Sequence, residues 1–375
     1  MRVLVVSGIW PPDVGGPASH APEVAGFLRS RGHEVEVVVT AGQEPAPQPY
    51  PVHWTSRRLP VGPRHLHSAA LVGRHARSAD VVYTTGMFAR SAIGATLARR
   101  PYVVKLTGDP AFERLRARGS VGGTVEDFQS VRGLPARALG ALRGGVLRRA
   151  AHVYCPSEYL RSLAVGWGVP AERTGVLPNP APEPPAFGDR DDLRRRLGLD
   201  GVALAFAGRL TAQKSLPSLL EAVAEAEGVQ LAIAGEGPEQ DAVAAALRRL
   251  GLGHRVRVLG PVDRDGVLEL FHAADGTVLA SAWENFPHTV VESLAVGTPV
   301  IATAVGGVAE VVRDAENGLL VPPGDVPALA AAIRRFAGDA ELRRRLRAAA
   351  APSVEPYRIE RLFAELEATL LRVAG

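Results

Sequence analysis

Two carboxylates eight positions apart, Glu284 and Glu292, frame the segment Glu284-Asn285-Phe286-Pro287-His288-Thr289-Val290-Val291-Glu292. Pro287 fits the first turn of a helix, where its missing N–H costs nothing. Glu284 then stands in the loop ahead of that helix, and Glu292 lies in its second turn. The N–H groups of the first turn, at His288 and Thr289, form an anion site. A carboxylate before the helix and one inside it can each accept two hydroxyls, as a grip on a sugar ring and a ribose requires. A second segment carries the opposite charge. Ala207-Gly208-Arg209-Leu210-Thr211-Ala212-Gln213-Lys214-Ser215 follows an apolar run and sets Arg209 and Lys214 five residues apart on one loop. Two cations at the carboxyl end of a strand suit a diphosphate, arginine as a planar fork and lysine as a compact charge. Of 43 basic residues only Lys105 and Lys214 are lysines. Arginine-favouring codons explain the rarity, and it still singles out both positions.

Further motifs are weaker. Pro11-Pro12-Asp13-Val14-Gly15-Gly16 lies between the first strand and the first helix. There Gly15 and Gly16 let the backbone approach an anion closely. No G-x-G-x-x-G occurs in this turn, which weakens a nicotinamide dehydrogenase reading. Ala234-Gly235-Glu236-Gly237-Pro238 is a tight turn beside a base pocket, and no chemistry is assigned to it. Val305-Gly306-Gly307-Val308-Ala309-Glu310 and Asn317-Gly318 read as mostly architectural. Asp263-Arg264-Asp265 matches the D-x-D pattern of metal-dependent sugar transfer, yet carboxylates at a helix start explain it. No His/Asp/Glu cluster has metal-ligand spacing, so no metal is expected. Neither a G-x-S-x-G nor a Walker pattern is present.

The elements that must position these residues are legible as rhythm. Short continuous apolar runs, such as Val3-Leu4-Val5-Val6, Val81-Val82-Tyr83 and Tyr102-Val103-Val104, alternate with helical spacings such as Ala18 to Arg31 and Leu66 to Ser78. That alternation predicts an α/β fold with parallel sheets covered on both faces. It restarts after residue 200 with Ala203-Leu204-Ala205-Phe206, so two doubly wound domains are expected. The proline-rich Pro178-Asn179-Pro180-Ala181-Pro182-Glu183-Pro184-Pro185 reads as an extended hinge between them. The expected domains are 1–180 and 181–355. A tail at 356–375 follows, part of a helical pattern from Glu355 to Val373 with Tyr357, Leu362, Phe363, Leu366 and Leu370 on its apolar face.

Composition bounds the rest. The 375 residues and 46% hydrophobic content supply material for packed cores in about two domains. The lone Cys155 excludes an internal disulfide framework and a cysteine zinc cage. The Met1–Gly8 run is too short to span a membrane, and no run elsewhere approaches ~20 uncharged apolar residues. A soluble cytoplasmic protein is the default. The net charge of +4 is small, and no nucleic-acid partner is expected. Arg137 to Arg149 reads as a helix with a solvated arginine face, the alternative being a weak peripheral contact at the inner membrane surface.

Taken together, these residues resemble the family 4 retaining glycosyltransferases. The matching pieces are Gly15-Gly16, Arg31-Gly32-His33-Glu34-Val35, Gly208-Arg209 with Lys214, and the E-x7-E pair of Glu284 and Glu292. Gly297-Thr298-Pro299-Val300-Ile301, Gly306-Gly307 through Glu310, and Asn317-Gly318-Leu319-Leu320-Val321 match as well. The resemblance implies the GT-B architecture: two Rossmann-like domains facing a cleft, the first binding acceptor and the second the nucleotide sugar, with the C-terminal helix crossing back to the first. It further implies a nucleotide-diphosphate sugar donor, UDP before GDP, a hydroxyl acceptor, no required metal or other cofactor, and retention at the anomeric carbon. Arg209 and Lys214 would clamp the diphosphate, Glu284 would hold hydroxyls of the transferred sugar, and Glu292 those of the ribose. His288 and Thr289 would give backbone donors to the distal phosphate, as would Gly16 on closure. Asn285 and Phe286 join the donor-binding set. The family often carries a His, commonly His-Asp, after the strand corresponding to Tyr102 to Leu106. Here Lys105-Leu106-Thr107-Gly108-Asp109 puts glycine at the histidine position. Asp109 is therefore expected to take over substrate-hydroxyl contacts as a catalytic residue, with Lys105 holding its charge; a structural Lys105–Asp109 pair is the alternative. A non-hydrolysing nucleotide-sugar epimerase and a non-catalytic nucleotide-sugar-binding protein are the rival functions. Acceptor identity and oligomeric state are not encoded in any motif.

Overall fold

The structure is a computed structural model that describes residues 1–13 and 16–375, the side-chain surroundings of 16–18 excepted. The chain divides into two compact units, residues 1–179 with 360–375, and residues 180–359. The division falls inside the proline-rich segment.

The first unit runs β1 (Arg2–Ser7), α1 (Gly16–Ser30), β2 (Glu34–Ala41), β3 (Val52–Ser56), α2 (Val61–Ala76), β4 (Val81–Thr84), α3 (Phe88–Leu97), β5 (Tyr102–Lys105), α4 (Pro110–Arg116), α5 (Val125–Gln129), α6 (Leu134–Arg149), β6 (His152–Cys155), α7 (Glu158–Gly166) and β7 (Thr174–Val176). Its strands pair in parallel in the order β3-β2-β1-β4-β5-β6-β7. Every residue of β4, β5 and β6 is buried. A sheet covered on both faces leaves no place for an alternating polar residue, which is why these strands read as unbroken apolar runs.

The second unit repeats the plan. It comprises α8 (Arg190–Leu197), β8 (Val202–Ala207), α9 (Leu216–Glu225), β9 (Val229–Ala234), α10 (Gln240–Leu250), β10 (Val256–Gly260), α11 (Arg264–Ala273), β11 (Gly276–Leu279), α12 (His288–Ala295), β12 (Val300–Thr303), α13 (Val308–Val311), β13 (Gly318–Val321), α14 (Val326–Gly338) and α15 (Ala340–Ser353). The parallel order is β10-β9-β8-β11-β12-β13. The chain winds outward from β8 to β10, returns to place β11 beside β8, and winds the other way. The order therefore reverses between β8 and β11, and ligands of such sheets bind outside the carboxyl ends of the strands at that point.

The tail is not one helix. Glu355–Tyr357 forms a 3₁₀ turn, Arg358 is extended at φ −63° and ψ 136°, and α16 (Ile359–Ala374) follows. Tyr357 packs within the second unit, its ring 6.0 Å from that of Phe286. The apolar face of α16, with Leu362, Phe363, Leu366 and Leu370, is buried in the first unit. One pattern thus serves two cores, and the extended residue lets it do so. The Arg31-Gly32-His33 run acquires a structural role here. His33 Nε2 donates to Glu367 of α16 at 2.8 Å and Arg31 Nε at 3.2 Å.

Candidate active site

The two charged segments leave the sheet of the second unit on either side of the reversal point, one after β8 and one after β11. The β8 loop is held from below by the loop after β9. Gly208 sits at φ 151°, a conformation that favours glycine. A Cβ on Gly235 would collide with the Gly208 carbonyl, and one on Gly237 with that of Leu210. The Gly208 N–H donates to Ala234 O at 3.0 Å, Leu210 N–H to Glu236 O at 2.9 Å and Glu239 N–H to Leu210 O at 3.0 Å. This fixes the backbone on both sides of Arg209, whose side chain is exposed and makes no hydrogen bond or ion pair among the described residues.

Lys214 is placed differently. It ends a 3₁₀ turn, Ala212–Lys214, and its Nζ donates to Glu284 Oε1 at 2.5 Å. Ser281 Oγ donates to the same oxygen at 2.7 Å, and Gln213 Nε2 lies 3.5 Å from Oε2. Gln213 also ties the two loops together, donating to Trp283 O and accepting from the Ala282 N–H, each at 2.8 Å. Glu284 is 6% exposed. The sequence reading gave Lys214 to a phosphate and Glu284 to a sugar. The structure joins them in one shielded ion pair, with Oε2 keeping most of its acceptor capacity. A cation so fixed needs no reorganisation when negative charge develops beside it.

Pro287 is the N-cap of α12, not a residue of its first turn, and brings no side-chain cap. His288 and Thr289 open the helix, and Glu292 follows in its second turn, half-buried. Burial pushes the Glu292 carboxyl above its usual range, and the Arg264 charge draws it partly back. The Gly307 N–H donates to Glu284 O at 3.2 Å, so the glycine pair after β12 braces the same loop. Asn285 is half-buried. The Phe286 ring belongs to the hydrophobic core at 7% exposure, packed near His288 and Tyr357. Asp263 caps α11 through its Oδ1, which accepts from the Gly266 N–H at 2.9 Å. Gly15 lies outside the described residues, and Gly16 opens α1.

In the first unit the Lys105–Asp109 partnership does not form. Lys105, the last residue of β5, is buried, and its Nζ donates to Leu177 O. Burial lowers its pKa to about 7, against the charges of Cys155 and Glu365. Asp109 is wholly buried as the N-cap of α4. Its Oδ1 accepts from the N–H groups of Ala111 at 2.9 Å and Phe112 at 3.3 Å, and its Oδ2 from Gln129 Nε2 at 3.2 Å and from Arg143 Nη1. Four donors occupy both oxygens, which leaves none for a substrate hydroxyl. The reason is its place before Pro110, where an aspartate caps a helix. Arg143 departs from the solvated face of its helix, where Arg137, Arg148 and Arg149 are exposed: its guanidinium lies 3.7 Å from the Trp167 ring centre and pairs with Asp109. Beside this network is a cavity of about 670 Å³, lined among others by Met87, Phe88, Arg90, Ala111, Arg114 and Leu142.

Sequence reasoning missed Ser281 and Gln213, which hold Glu284 together with Lys214. Ser281 two positions beyond a strand end, three before the glutamate, was the available signal.

Residues 15–180 match the profile of the glycosyl transferase 4-like domain, and residues 189–352 that of the glycosyl transferases group 1. The chain belongs to the group 1 glycosyltransferases and has their GT-B fold of two Rossmann-like domains. An uncharacterized glycosyltransferase of Methanocaldococcus jannaschii is 26% identical over 90% of each chain. Glycogen synthase of Mycobacterium tuberculosis is 28% identical over 93% of this chain and 89% of its own. D-inositol 3-phosphate glycosyltransferase of Mycobacterium marinum is 40% identical over 39% of this chain and 33% of its own. Among solved structures, Anabaena HepE in complex with UDP superimposes with a TM-score of 0.81 at 22% identity, over 99% of this chain and 100% of that one. No described helix is long and apolar enough to cross a membrane.

Proposed function

We propose that this glycosyltransferase moves a sugar from a nucleoside-diphosphate sugar, with uridine favoured, to an acceptor hydroxyl, without a metal and with retention at the anomeric carbon. The observation that carries the proposal is the Lys214–Glu284 pair at the reversal point of the second sheet, flanked by the exposed Arg209 and by the side-chain-uncapped start of α12. Arg209 and Lys214 neutralise the diphosphate as it departs. The first-turn N–H groups of α12 face its distal phosphate. Glu284 Oε2 accepts from hydroxyls of the transferred sugar, and Glu292 from the ribose. The departing phosphate oxygen takes the acceptor proton on the face it leaves, so the protein supplies position and charge rather than a nucleophile. Metal independence is supported by Asp263, whose carboxylate is engaged in capping. Uridine is supported by the likeness to HepE, solved with UDP and with UDP-glucose.

The cavity beside α4 supports an acceptor with an apolar body and a negative group, since Met87, Phe88 and Leu142 line it together with Arg90 and Arg114. His65, Glu113 and Arg118 line it as well.

A thermal-shift panel of UDP- and GDP-sugars tests the donor. A ligand that binds only the native state raises its stability by mass action, by about 2.7 kcal/mol at a hundredfold excess over Kd. A UDP-sugar is expected to raise Tm, and Arg209→Ala to abolish that rise. A shift with GDP-sugars alone would overturn the uridine assignment.

A further inference from the structure

Outside the transfer site, three titratable side chains from three elements converge at the edge of the first sheet. β3 is the edge strand, and its parallel register with β2 sets His53 opposite Val38, two residues on from Glu36. Residues two apart on a strand share a face, so Glu36 and His53 project from the same side. α2 covers that side, and His75 in its last turn reaches the same point. Glu36 Oε2 lies 2.7 Å from His75 Nδ1 and 3.4 Å from His53 Nε2. The two imidazoles stack, with centroids 3.7 Å apart and planes 21° from parallel.

This arrangement is poor as an ion pair alone. One carboxylate oxygen faces two imidazoles stacked on each other. Among the described residues the buried His53 Nε2 makes no hydrogen bond. A lone pair so placed, next to a second imidazole nitrogen and a carboxylate oxygen, belongs to a ligand set.

We propose that Glu36, His53 and His75 bind one divalent transition-metal ion of the zinc class. Two imidazoles and a carboxylate favour Zn²⁺, Ni²⁺ or Cu²⁺ over Mg²⁺ or Ca²⁺. On a tetrahedral ion with bonds of about 2.0–2.1 Å, ligand atoms stand about 3.4 Å apart, matching the His53–Glu36 separation. The rings must splay from their stack to aim both nitrogens at the ion, and their half-exposed positions leave room for this. Water completes the fourth position. The ion links the last turn of α2 to β2 and the edge strand β3, and it touches no residue assigned to sugar transfer.

The test is calorimetric titration of the full chain with Zn²⁺ at pH 7.5, repeated on Glu36→Gln, His53→Gln and His75→Gln, with turnover measured alongside. The parent is expected to bind one equivalent and to gain Tm, because binding to the native state alone stabilises it. Each variant is expected to bind at least ~10-fold more weakly, a loss no smaller than that for a residue merely supporting a metal ligand. Turnover is expected to stay at the parent level. Affinity should fall on acidification, because protons compete with the metal for the imidazole nitrogens. Glu36→Gln keeps the side-chain shape, so it guards against a folding defect in the histidine variants. Absence of saturable binding, or equal affinity in the parent and all three variants, would overturn the proposal.

Discussion

Arg209 and Lys214 carry the same formal charge, five residues apart, yet their surroundings predict different variants. Removing either should lower turnover by at least ~100-fold, the scale for losing a group that stabilises charge in the transition state. Arg209 is exposed and makes no ion pair among the described residues, so Arg209→Ala should leave the unfolding midpoint in place. Lys214→Ala leaves Glu284 charged and only 6% exposed. Breaking a buried pair from one side costs about 3 kcal/mol, so that variant should also unfold earlier in urea. Lys214→Ala with Glu284→Ala should recover much of the stability and none of the turnover. Near-normal turnover in either single variant would sink the clamp assignment. The E-x7-E spacing made both glutamates visible in the sequence. That Glu284 is held by Lys214 was not visible, because that contact joins residues 70 positions apart.

At the scale of elements, the start of α4 decides what Asp109 does. Sequence alone placed it after a strand and beside a glycine, where a substrate contact was a reasonable expectation. Pro110 was the competing signal: an aspartate ahead of a proline is a helix N-cap. The cap accepts two backbone N–H groups, and α5 and α6 bring Gln129 and Arg143 to the remaining oxygen. Asp109→Asn should therefore cost about 3 kcal/mol, since Arg143 is left without its countercharge. Turnover per folded molecule should remain close to that of the parent. Urea unfolding combined with turnover normalised to folded protein separates the two effects. Unchanged stability with a ~10-fold fall in turnover would return Asp109 to the substrate. The same scale explains the divided tail. Its apolar spacing predicts a helix, but not that Tyr357 and Leu362 enter different cores.

For the molecule as a whole, Lys105 makes stability depend on pH. Its folded pKa of about 7 lies below its ordinary 10.5, so between these values the folded state binds fewer protons than the unfolded state. Stability therefore rises with pH through that window and is lowest, on this account, below it. Lys105→Met removes the dependence. Its gain over the parent should be larger at pH 7 than at pH 9 by about 2 kcal/mol, from ~1.4 kcal/mol per pH unit reduced near the folded pKa. Urea unfolding at both pH values measures this, and an equal difference at the two would contradict it. The sequence by itself determined the two parallel α/β units and the segments bearing the charged residues. Those features are local: continuous apolar runs, helical spacing, prolines at a boundary, and charges just past strand ends. Tertiary structure decided which charges meet. Strand order, which no local pattern records, puts β11 beside β8 and so brings Glu284 to Lys214. It likewise sets Glu36, His53 and His75 together from three separate elements. Pairing across a sheet depends on burying both faces of every strand at once, a condition on the whole unit that no single segment carries.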